Sequence, residues 1–397
     1  MEKTWRWFGK KDKITLPMLR QIGVEGVVTA LHDIPNGEVW TLEAILDLKK
    51  YIEDAGLKWS VVESLPVSEA IKYGGTDRDK LIANYKVSLA NLGKAGVKTV
   101  CYNFMPVIDW IRTDLEHPWT DGTSSLYYDN IRFAYFDCMI LKREGAEKDY
   151  TSEELEKVYA LDQTITEDEK QQLIETIIVK TQGFVNGNIR EGDKNPVILF
   201  KNLLALYKGI DKNALRENMK YFLSQIMPVC DEYDVNMCVH PDDPPRQVLG
   251  LPRIVTNAED IRWILKAIDN SHNGLTFCAG SLSAGIHNDV PVLATEFVDR
   301  THFVHLRSTS VFPDGNFIEA DHLQGRGHLI ELVRIFEKNK PSLPMRVDHG
   351  RLMLEDKDKG YNPGYSFYGR MFALAQMDGV IATVQDEIAR GFMSYIS

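Results

Sequence analysis

Side chains that could hold a metal ion stand at the ends of short apolar segments in the second half of this chain. "VNMCVH" ends at His240, "GLTFC" at Cys278, "THFVH" at His305 and "MRVD" at Asp348. Imidazole, thiolate and carboxylate together suit a borderline divalent ion such as Fe²⁺, Mn²⁺, Co²⁺ or Zn²⁺, whereas Mg²⁺ and Ca²⁺ prefer sites made only of oxygen. The four residues are therefore candidate metal ligands, provided that the fold brings the ends of their segments together.

Other apolar segments also end in groups that could bind a substrate or exchange a proton. These residues are His32 with Asp33, Glu63, Asn103, Arg307 and His349. We do not expect such a concentration at nearly every segment end by chance. It is the strongest indication in the sequence that the segment ends share one functional site.

Each candidate also has an ordinary structural explanation. Cys278 could be a buried small apolar residue, which is the usual fate of a free cysteine. His305 could be a core histidine with its hydrogen bonds satisfied, and Asp348 could cap a turn. Arg307 could belong to a structural ion pair. Asp242 and Asp243, in the loop "HPDDPP", could orient a ligand histidine or be solvated loop acids. Four coincidences on successive segments are nevertheless less expected than one site.

The apolar segments alternate with longer amphipathic stretches, and this pattern predicts how the candidates are positioned. Strand-like segments begin with "TWRWFG", "GVVTAL", "LKWSVVES" and "VKTVCYNFMP", and the four segments named above complete a set of eight. Such alternation favours a parallel sheet, and eight repeats predict an α/β fold of the (β/α)₈ (TIM) barrel type. The carboxyl ends of barrel strands meet at one mouth, where active sites lie.

Residues 111–206 interrupt the alternation. They contain charged, helix-prone stretches that begin with "TSEE" and "TEDE", which resemble capping boxes. We interpret residues 1–397 as a single barrel domain with a helical insertion at about 111–206, after the fourth strand. The insertion could be a lid, an oligomer contact or a solvated excursion without a catalytic role.

Composition limits the classes of partner. The chain has 397 residues, 44% of them hydrophobic, and a formal net charge of −11. Because we find no basic stripe, we expect no nucleic-acid partner. We expect no membrane partner, since no run of about 18 apolar residues occurs. The start lacks the apolar core of a signal peptide, and five widely spaced cysteines suit reduced thiols, so we expect a cytoplasmic location.

Several longer motifs resemble the D-mannonate dehydratase family of metal-dependent, xylose-isomerase-like barrels. They are "WRWFG", "LHDIPNGEVW" and "YNFMPVIDWIRTDL" in the first half, and "CVHPDDPPR", "GLTFCAGSL", "HFVHLRS", "VDHGR" and "NPGYSFYGR" in the second. The resemblance implies a hydro-lyase that converts D-mannonate to 2-keto-3-deoxy-D-gluconate in hexuronate (glucuronate) catabolism. It implies one Mn²⁺ or Fe²⁺ per chain, on His240, Cys278, His305 and Asp348.

The resemblance also implies an acid–base pair, which falls on His349 and Tyr365. Loss of water from a sugar acid needs a base for the C2 proton and an acid for the departing C3 hydroxide. A divalent ion beside the carboxylate would stabilise the enediolate-like charge as a Lewis acid. We expect Arg307, Asn103 and His32 to contact the sugar-acid substrate, and we expect a homo-oligomer, a dimer. Which member of the pair is the base stays open.

Two alternative functions fit the same scaffold. Sugar isomerases and epimerases of this superfamily typically use carboxylate-rich metal sites, and the isomerases often place a lysine beside them. Here the site has a cysteine, and no strand-end lysine is evident. A non-catalytic metal- or carbohydrate-binding barrel would keep the four ligands and dispense with His349 and Tyr365.

Overall fold

Eight parallel strands close into a barrel in the computed structural model, which describes residues 1–183, 189 and 192–391. The strands along the chain are β1 (Glu2–Arg6), β2 (Gly26–Thr29), β3 (Lys58–Glu63), β4 (Thr99–Tyr102), β5 (Asp114–Pro118), β6 (Ser124–Tyr128), β7 (Asn236–Val239), β8 (Asn273–Cys278), β9 (Thr301–Leu306), β10 (Thr309–Val311), β11 (Phe317–Glu319) and β12 (Pro344–Val347). Around the barrel their order is β1-β12-β9-β8-β7-β4-β3-β2. The predicted (β/α)₈ barrel is confirmed.

Helices surround the barrel and fill the interval between β6 and β7. They are α1 (Leu16–Gln21), α2 (Leu42–Asp54), α3 (Glu69–Tyr73), α4 (Arg78–Lys94), α5 (Asn130–Tyr135), α6 (Ser152–Asp162), α7 (Glu167–Ile174), α8 (Thr181–Gly183), α9 (Pro196–Ala205), α10 (Lys212–Tyr233), α11 (Ala258–Ala267), α12 (Ala279–Ser283), α13 (Val290–Phe297), α14 (Leu329–Asn339) and α15 (Phe367–Ala389). Short 3₁₀ or π-helical segments lie at Phe136–Leu141, Ala146–Asp149, Glu175–Lys180, Val298–Arg300, Gly325–Gly327 and Leu354–Asp356. Within the described ranges, no helix is long and apolar enough to cross a membrane.

Strand alternation separates the helix-facing core from the barrel interior. On β1, Trp5 is fully buried and packs against Phe367 of α15, with ring centroids 6.2 Å apart. Its neighbours Thr4 and Arg6 alternate to the inner side. Inside the barrel, a small apolar layer consists of Val28, Val61, Cys101, Cys238 and Phe303. This layer closes the floor beneath the residues that follow at the strand ends.

The interval 111–206 differs from the prediction at its beginning. It opens with the antiparallel hairpin β5–β6, which joins β11 and β10 in a separate four-stranded sheet. The register pairs Tyr128 of β6 with Phe317 of β11, and their rings stack with centroids 5.0 Å apart. Helices follow, and the predicted capping boxes form at Thr151 and Thr166. The hairpin was missed because its partner strand lies about 190 residues further along the chain.

Register brings the candidate ligands to one level at the mouth. Cys278 on β8 pairs with His305 on β9, and His305 pairs in turn with Arg346 on β12. Asp348 directly follows β12, as His240 directly follows β7. The ends of four neighbouring strands, β7, β8, β9 and β12, therefore meet at one place.

Candidate metal centre and active site

Three of the four predicted ligands form a compact buried cluster. The ligand atoms of His240, Cys278 and His305 all lie within 4.8 Å of one another. Cys278 and His305 are fully buried, and His240 is 9% exposed. Two imidazoles and a thiol at this separation can coordinate a single ion of the transition-metal class.

A hydrogen bond fixes the imidazole of His240, and a carboxylate lies beside the imidazole of His305. Nδ1 of His240 lies 2.7 Å from the carbonyl oxygen of Pro241, which can only accept, so this nitrogen carries the proton and Nε2 offers its lone pair. Nε2 of His305 lies 3.6 Å from Glu63 Oε2. Its Nδ1 faces His240 Nε2 at 3.2 Å. Two facing lone pairs repel unless a proton or a metal cation lies between them, and backbone or carboxylate partners of this kind are usual for metal-bound histidines.

The electrostatic environment favours the thiolate form of Cys278. Burial alone would raise its pKa, but the Arg307 guanidinium and His240 outweigh that effect and hold the pKa well below the usual value. Sγ lies 3.4 Å from Nη2 of Arg307 and 3.2 Å from Oγ of Ser281. Since the thiolate is the form that binds metal, the cysteine fits the proposed centre.

Asp348 lies at the edge of this cluster. Its Oδ2 is 3.8 Å from His305 Nδ1 and 3.9 Å from Cys278 Sγ. Arg307 Nε donates to Oδ2 at 2.8 Å, and Arg346 donates to Oδ1. Burial disfavours the charged carboxylate, but these arginines and the nearby histidines keep the pKa of Asp348 well below its usual range. Its role as the fourth ligand stays a prediction.

His349 lines a cavity beside this cluster, together with His240 and Asp348, and one of its ring nitrogens is held by a hydrogen bond. Its Nδ1 lies 3.1 Å from Oε1 of Glu319, and its Nε2 lies 3.8 Å from Oδ1 of Asp348. Burial would raise the pKa of Glu319, but Arg307 and Arg112 outweigh it and lower the pKa to about 2. Ionised Glu319 can only accept, so Nδ1 of His349 donates to it and Nε2 is left for chemistry.

Tyr365 lies on the other side of His349. The two rings meet edge to face at 5.1 Å, and the phenol donates to Asp348 Oδ1 at 3.4 Å. Burial raises the pKa of Tyr365 above its usual value. The hydroxyl therefore keeps its proton at neutral pH.

Arg307 lies at the centre of a buried ion-pair network. Its guanidinium donates to Asp348 at 2.8 Å, to Glu319 at 2.7 Å and to Asp243 at 2.6 Å. Arg112 completes the network through Asp243, at 2.8 Å, and Glu319. The structural ion pair considered for Arg307 is thus present, and its donors already point at protein carboxylates. A direct contact between Arg307 and substrate stays a prediction.

Of the two remaining predicted substrate contacts, one lines the cavity and the other does not. Asn103 lines the cavity and donates to Asp109. His32 is exposed and is not among the residues that line the cavity; its ring centroid lies 6.0 Å from that of Phe8. Asp242 is buried and accepts from Arg253 at 3.1 Å and from the amides of residues 254 and 255. Asp242 and Asp243 are therefore both buried and paired rather than solvated loop acids.

Other cavity residues received no definite role from the sequence. They are Arg6, Glu63, Ser64, Asp109, Trp110, Asp243 and Arg346. Strand alternation could have found Arg346, two residues before Asp348 on β12, and Glu63 was already noted as a strand end. Asp109 and Trp110 follow β4 in an irregular segment, where periodicity carries no signal. Glu319 lies outside the barrel strands. Its place in the site depends on the small antiparallel sheet, which the sequence did not predict.

A (β/α)₈ barrel with a buried His/Cys/His cluster beside a histidine–tyrosine pair defines a metal-dependent barrel enzyme. The family model described as D-mannonate dehydratase (UxuA) matches residues 1–390. The chain belongs to the D-mannonate dehydratase family.

Proteins similar to this chain match it over nearly its whole length. Mannonate dehydratase from Marinomonas sp. (strain MWYL1) is 44% identical over 390 residues, covering 96% of this chain and 98% of that protein. Mannonate dehydratase from Chromohalobacter salexigens is 42% identical over 394 residues, covering 97% of this chain and 99% of that protein. The crystal structure of mannonate dehydratase from Streptococcus suis serotype 2 matches with a TM-score of 0.78 and 34% identity, covering 98% of this chain and 96% of that one.

Proposed function

We propose that this protein is a hydro-lyase that removes water from D-mannonate to give 2-keto-3-deoxy-D-gluconate. The observation that carries the proposal is the buried His240, Cys278 and His305 cluster, whose His240 lines the same cavity as His349 and Tyr365. Family membership favours this reaction over sugar isomerisation or epimerisation on the same barrel. It also argues against a barrel that only binds metal or carbohydrate.

We infer that one Mn²⁺ or Fe²⁺ is held by His240, Cys278, His305 and Asp348. Thiolate and imidazole donors, with a carboxylate at the edge, suit these ions. When bound, the ion supplies Lewis-acid stabilisation of the negative charge that develops beside the substrate carboxylate. The Pro241 carbonyl holds His240 in the tautomer that this role requires, and the Glu63 carboxylate lies 3.6 Å from Nε2 of His305.

His349 is the base in this proposal. Its Nδ1 donates to Glu319 at 3.1 Å, so Nε2 is the ring nitrogen that takes the C2 proton. Trp110 packs at 5.0 Å between ring centroids and restricts the imidazole further. A base fixed in this way loses little rotamer freedom when the substrate binds.

Tyr365 is the acid that protonates the departing C3 hydroxide. Its raised pKa keeps the phenol protonated before the reaction. Guanidiniums lie over its ring, Arg370 at 5.1 Å and Arg346 at 5.8 Å from the centroid, and they stabilise the phenolate that remains after proton transfer. The protons therefore balance, because His349 removes one from C2 and Tyr365 gives one to the hydroxide that leaves C3. The enol product then tautomerises to the 2-keto acid.

An assay for 2-keto acid formation tests the reaction. The purified protein is loaded separately with Mn²⁺ and Fe²⁺ under reducing conditions and offered a panel of aldonic acids. We expect turnover of D-mannonate with either ion and little turnover of the C2 epimer, D-gluconate. Failure to form 2-keto acid from D-mannonate with both ions would contradict the proposed function.

We further infer that the protein works in the cytoplasm as a homodimer. The five cysteines are all free, and Cys278 must stay reduced to act as a ligand. Light scattering coupled to size exclusion measures the mass, and a value for a single chain would contradict the dimer.

A further inference from the structure

Three arginines line the cavity, and two of them are committed to protein carboxylates. Arg307 is paired with Asp348 and with the carboxylates of the buried network described above. Arg346 donates to Glu63 at 2.9 Å and to Asp348. Turning either guanidinium to a ligand would break charged hydrogen bonds to carboxylates inside the protein, which is costly.

Arg6 differs from both. It is only 7% exposed, and its Nη1 is buried without a hydrogen-bond partner in the part of the chain that the structure describes. Its guanidinium carbon lies 5.1 Å from the centroid of the Phe8 ring, an aromatic contact that supplies no hydrogen-bond acceptor in the guanidinium plane to Nη1. A buried guanidinium N–H without an acceptor is unfavourable unless a ligand supplies one.

Arg6 lies at the end of the cavity that contains the proposed metal ligands and the acid–base pair. β1 lies next to β12, with Thr4 opposite Arg346. Continuing the register by two residues brings Arg6 opposite Asp348, on the same inner face of the barrel. Arg6 is therefore beside the predicted metal site and also beside Tyr365, which lines the same cavity.

We propose that Arg6 binds the carboxylate of the sugar-acid substrate. The planar guanidinium matches a carboxylate in a two-point hydrogen bond, and desolvation strengthens that contact. Arg6 then accounts for selection of an aldonate over an uncharged sugar derivative of the same shape. This assignment rests on the proposed function for the identity of the anion.

Ligand binding to the metal-loaded protein tests the assignment. Turnover is blocked with Tyr365→Phe, and the affinities for D-mannonate and for the uncharged D-mannonamide are measured by calorimetry with and without Arg6→Gln. Loss of a buried charged hydrogen bond predicts D-mannonate binding weaker on the order of 10- to 100-fold, with the amide changed only slightly. Arg6→Lys keeps the charge without the planar fork, and we expect an intermediate loss.

Lys3→Gln is the matched control, because it removes one positive charge from the same strand. Lys3 bonds Asp378 on the outside of the barrel at 2.9 Å, so its loss should leave both affinities unchanged. Metal content is measured for every variant. If Arg6→Gln loses metal, the affinities of Arg6→Lys for D-mannonate and D-mannonamide are compared instead.

Equal weakening of both ligands, or no weakening of D-mannonate, overturns the role of Arg6. The proposed function is judged separately by 2-keto acid formation in the protein with intact Tyr365. A protein that binds D-mannonate through Arg6 without dehydrating it would refute the function and keep the binding assignment.

Discussion

Nδ1 of His349 lies 3.1 Å from Oε1 of Glu319, and this contact joins the barrel to the small antiparallel sheet. His349 follows barrel strand β12, whereas Glu319 ends β11 of the separate sheet. β11 is in turn paired with β6 from the interval 111–206. The insertion therefore supports the strand whose carboxylate orients the proposed base. This gives the start of the insertion a positioning role that neither a lid nor a solvated excursion would require.

Replacing Glu319 with glutamine should impair catalysis more than binding. The amide can present its NH₂ group to Nδ1 of His349, which favours the tautomer that places the proton on Nε2. Loss of the correct tautomer in a comparable histidine–carboxylate pair costs up to about 10⁴-fold in kcat, so we expect a fall of at least about 10²-fold. KM for D-mannonate and the metal content should change little, and steady-state kinetics with metal analysis measures all three.

A double variant separates this effect from general damage. If Glu319 acts through His349, then Glu319→Gln added to His349→Asn should lower kcat no further. Independent, multiplicative losses would show that Glu319 acts through Arg112 or Arg307 instead.

Acid should weaken the buried network that contains Glu319. Its pKa in the folded protein is about 2, below the ordinary 4.5, so its ionised form stabilises the fold. That contribution is complete above about pH 4.5 and is lost as the pH falls towards 2. We expect the free energy of unfolding of the metal-free protein to fall from pH 5 to pH 3 in denaturant titrations. In Glu319→Gln the fall should be shallower, and an unchanged slope would contradict the assigned pKa.

Cys278→Ser should remove metal and activity together. A serine hydroxyl is not ionised at neutral pH, so the ion loses an anionic ligand. Cys238→Ser is the matched control: it also lies buried inside the barrel, two residues before His240, and its thiol donates to the carbonyl of Val100 at 3.4 Å. We expect elemental analysis to find metal in the control and little in Cys278→Ser. Equal metal content in both would exclude Cys278 as a ligand.

The sequence was sufficient to predict the barrel and the cluster because both depend on local patterns. Each barrel strand is a short apolar run, and closure of the barrel places consecutive strand ends together. The sequence alone therefore groups His240, Cys278 and His305. Strand alternation along β12 also predicts that Arg346, two residues before Asp348, faces the same side, although Arg346 was given no role from the sequence.

The parts that sequence reasoning missed depend on contacts between distant segments. β6 and β11 pair across about 190 residues, so neither strand has a local partner to reveal it. Whether an arginine is paired or free is likewise a property of three-dimensional packing. Arg307 was expected to bind substrate and is held by three carboxylates. Arg6, in the motif "WRWFG", was not assigned, and its buried Nη1 has no hydrogen-bond partner among the residues that the structure describes.

Tyr365→Phe and His349→Asn should separate the acid from the base. Phenylalanine keeps the ring contacts with His349 and Phe8, both at 5.1 Å, and removes only the hydroxyl. Without the acid, kcat should fall by about 10²- to 10⁴-fold. His349 can still remove the C2 proton, so D-mannonate incubated with Tyr365→Phe in D₂O should gain deuterium at C2 without forming product. His349→Asn should show neither exchange nor product. Proton NMR of the recovered substrate measures the exchange, and deuterium incorporation by His349→Asn rather than by Tyr365→Phe would reverse the two roles.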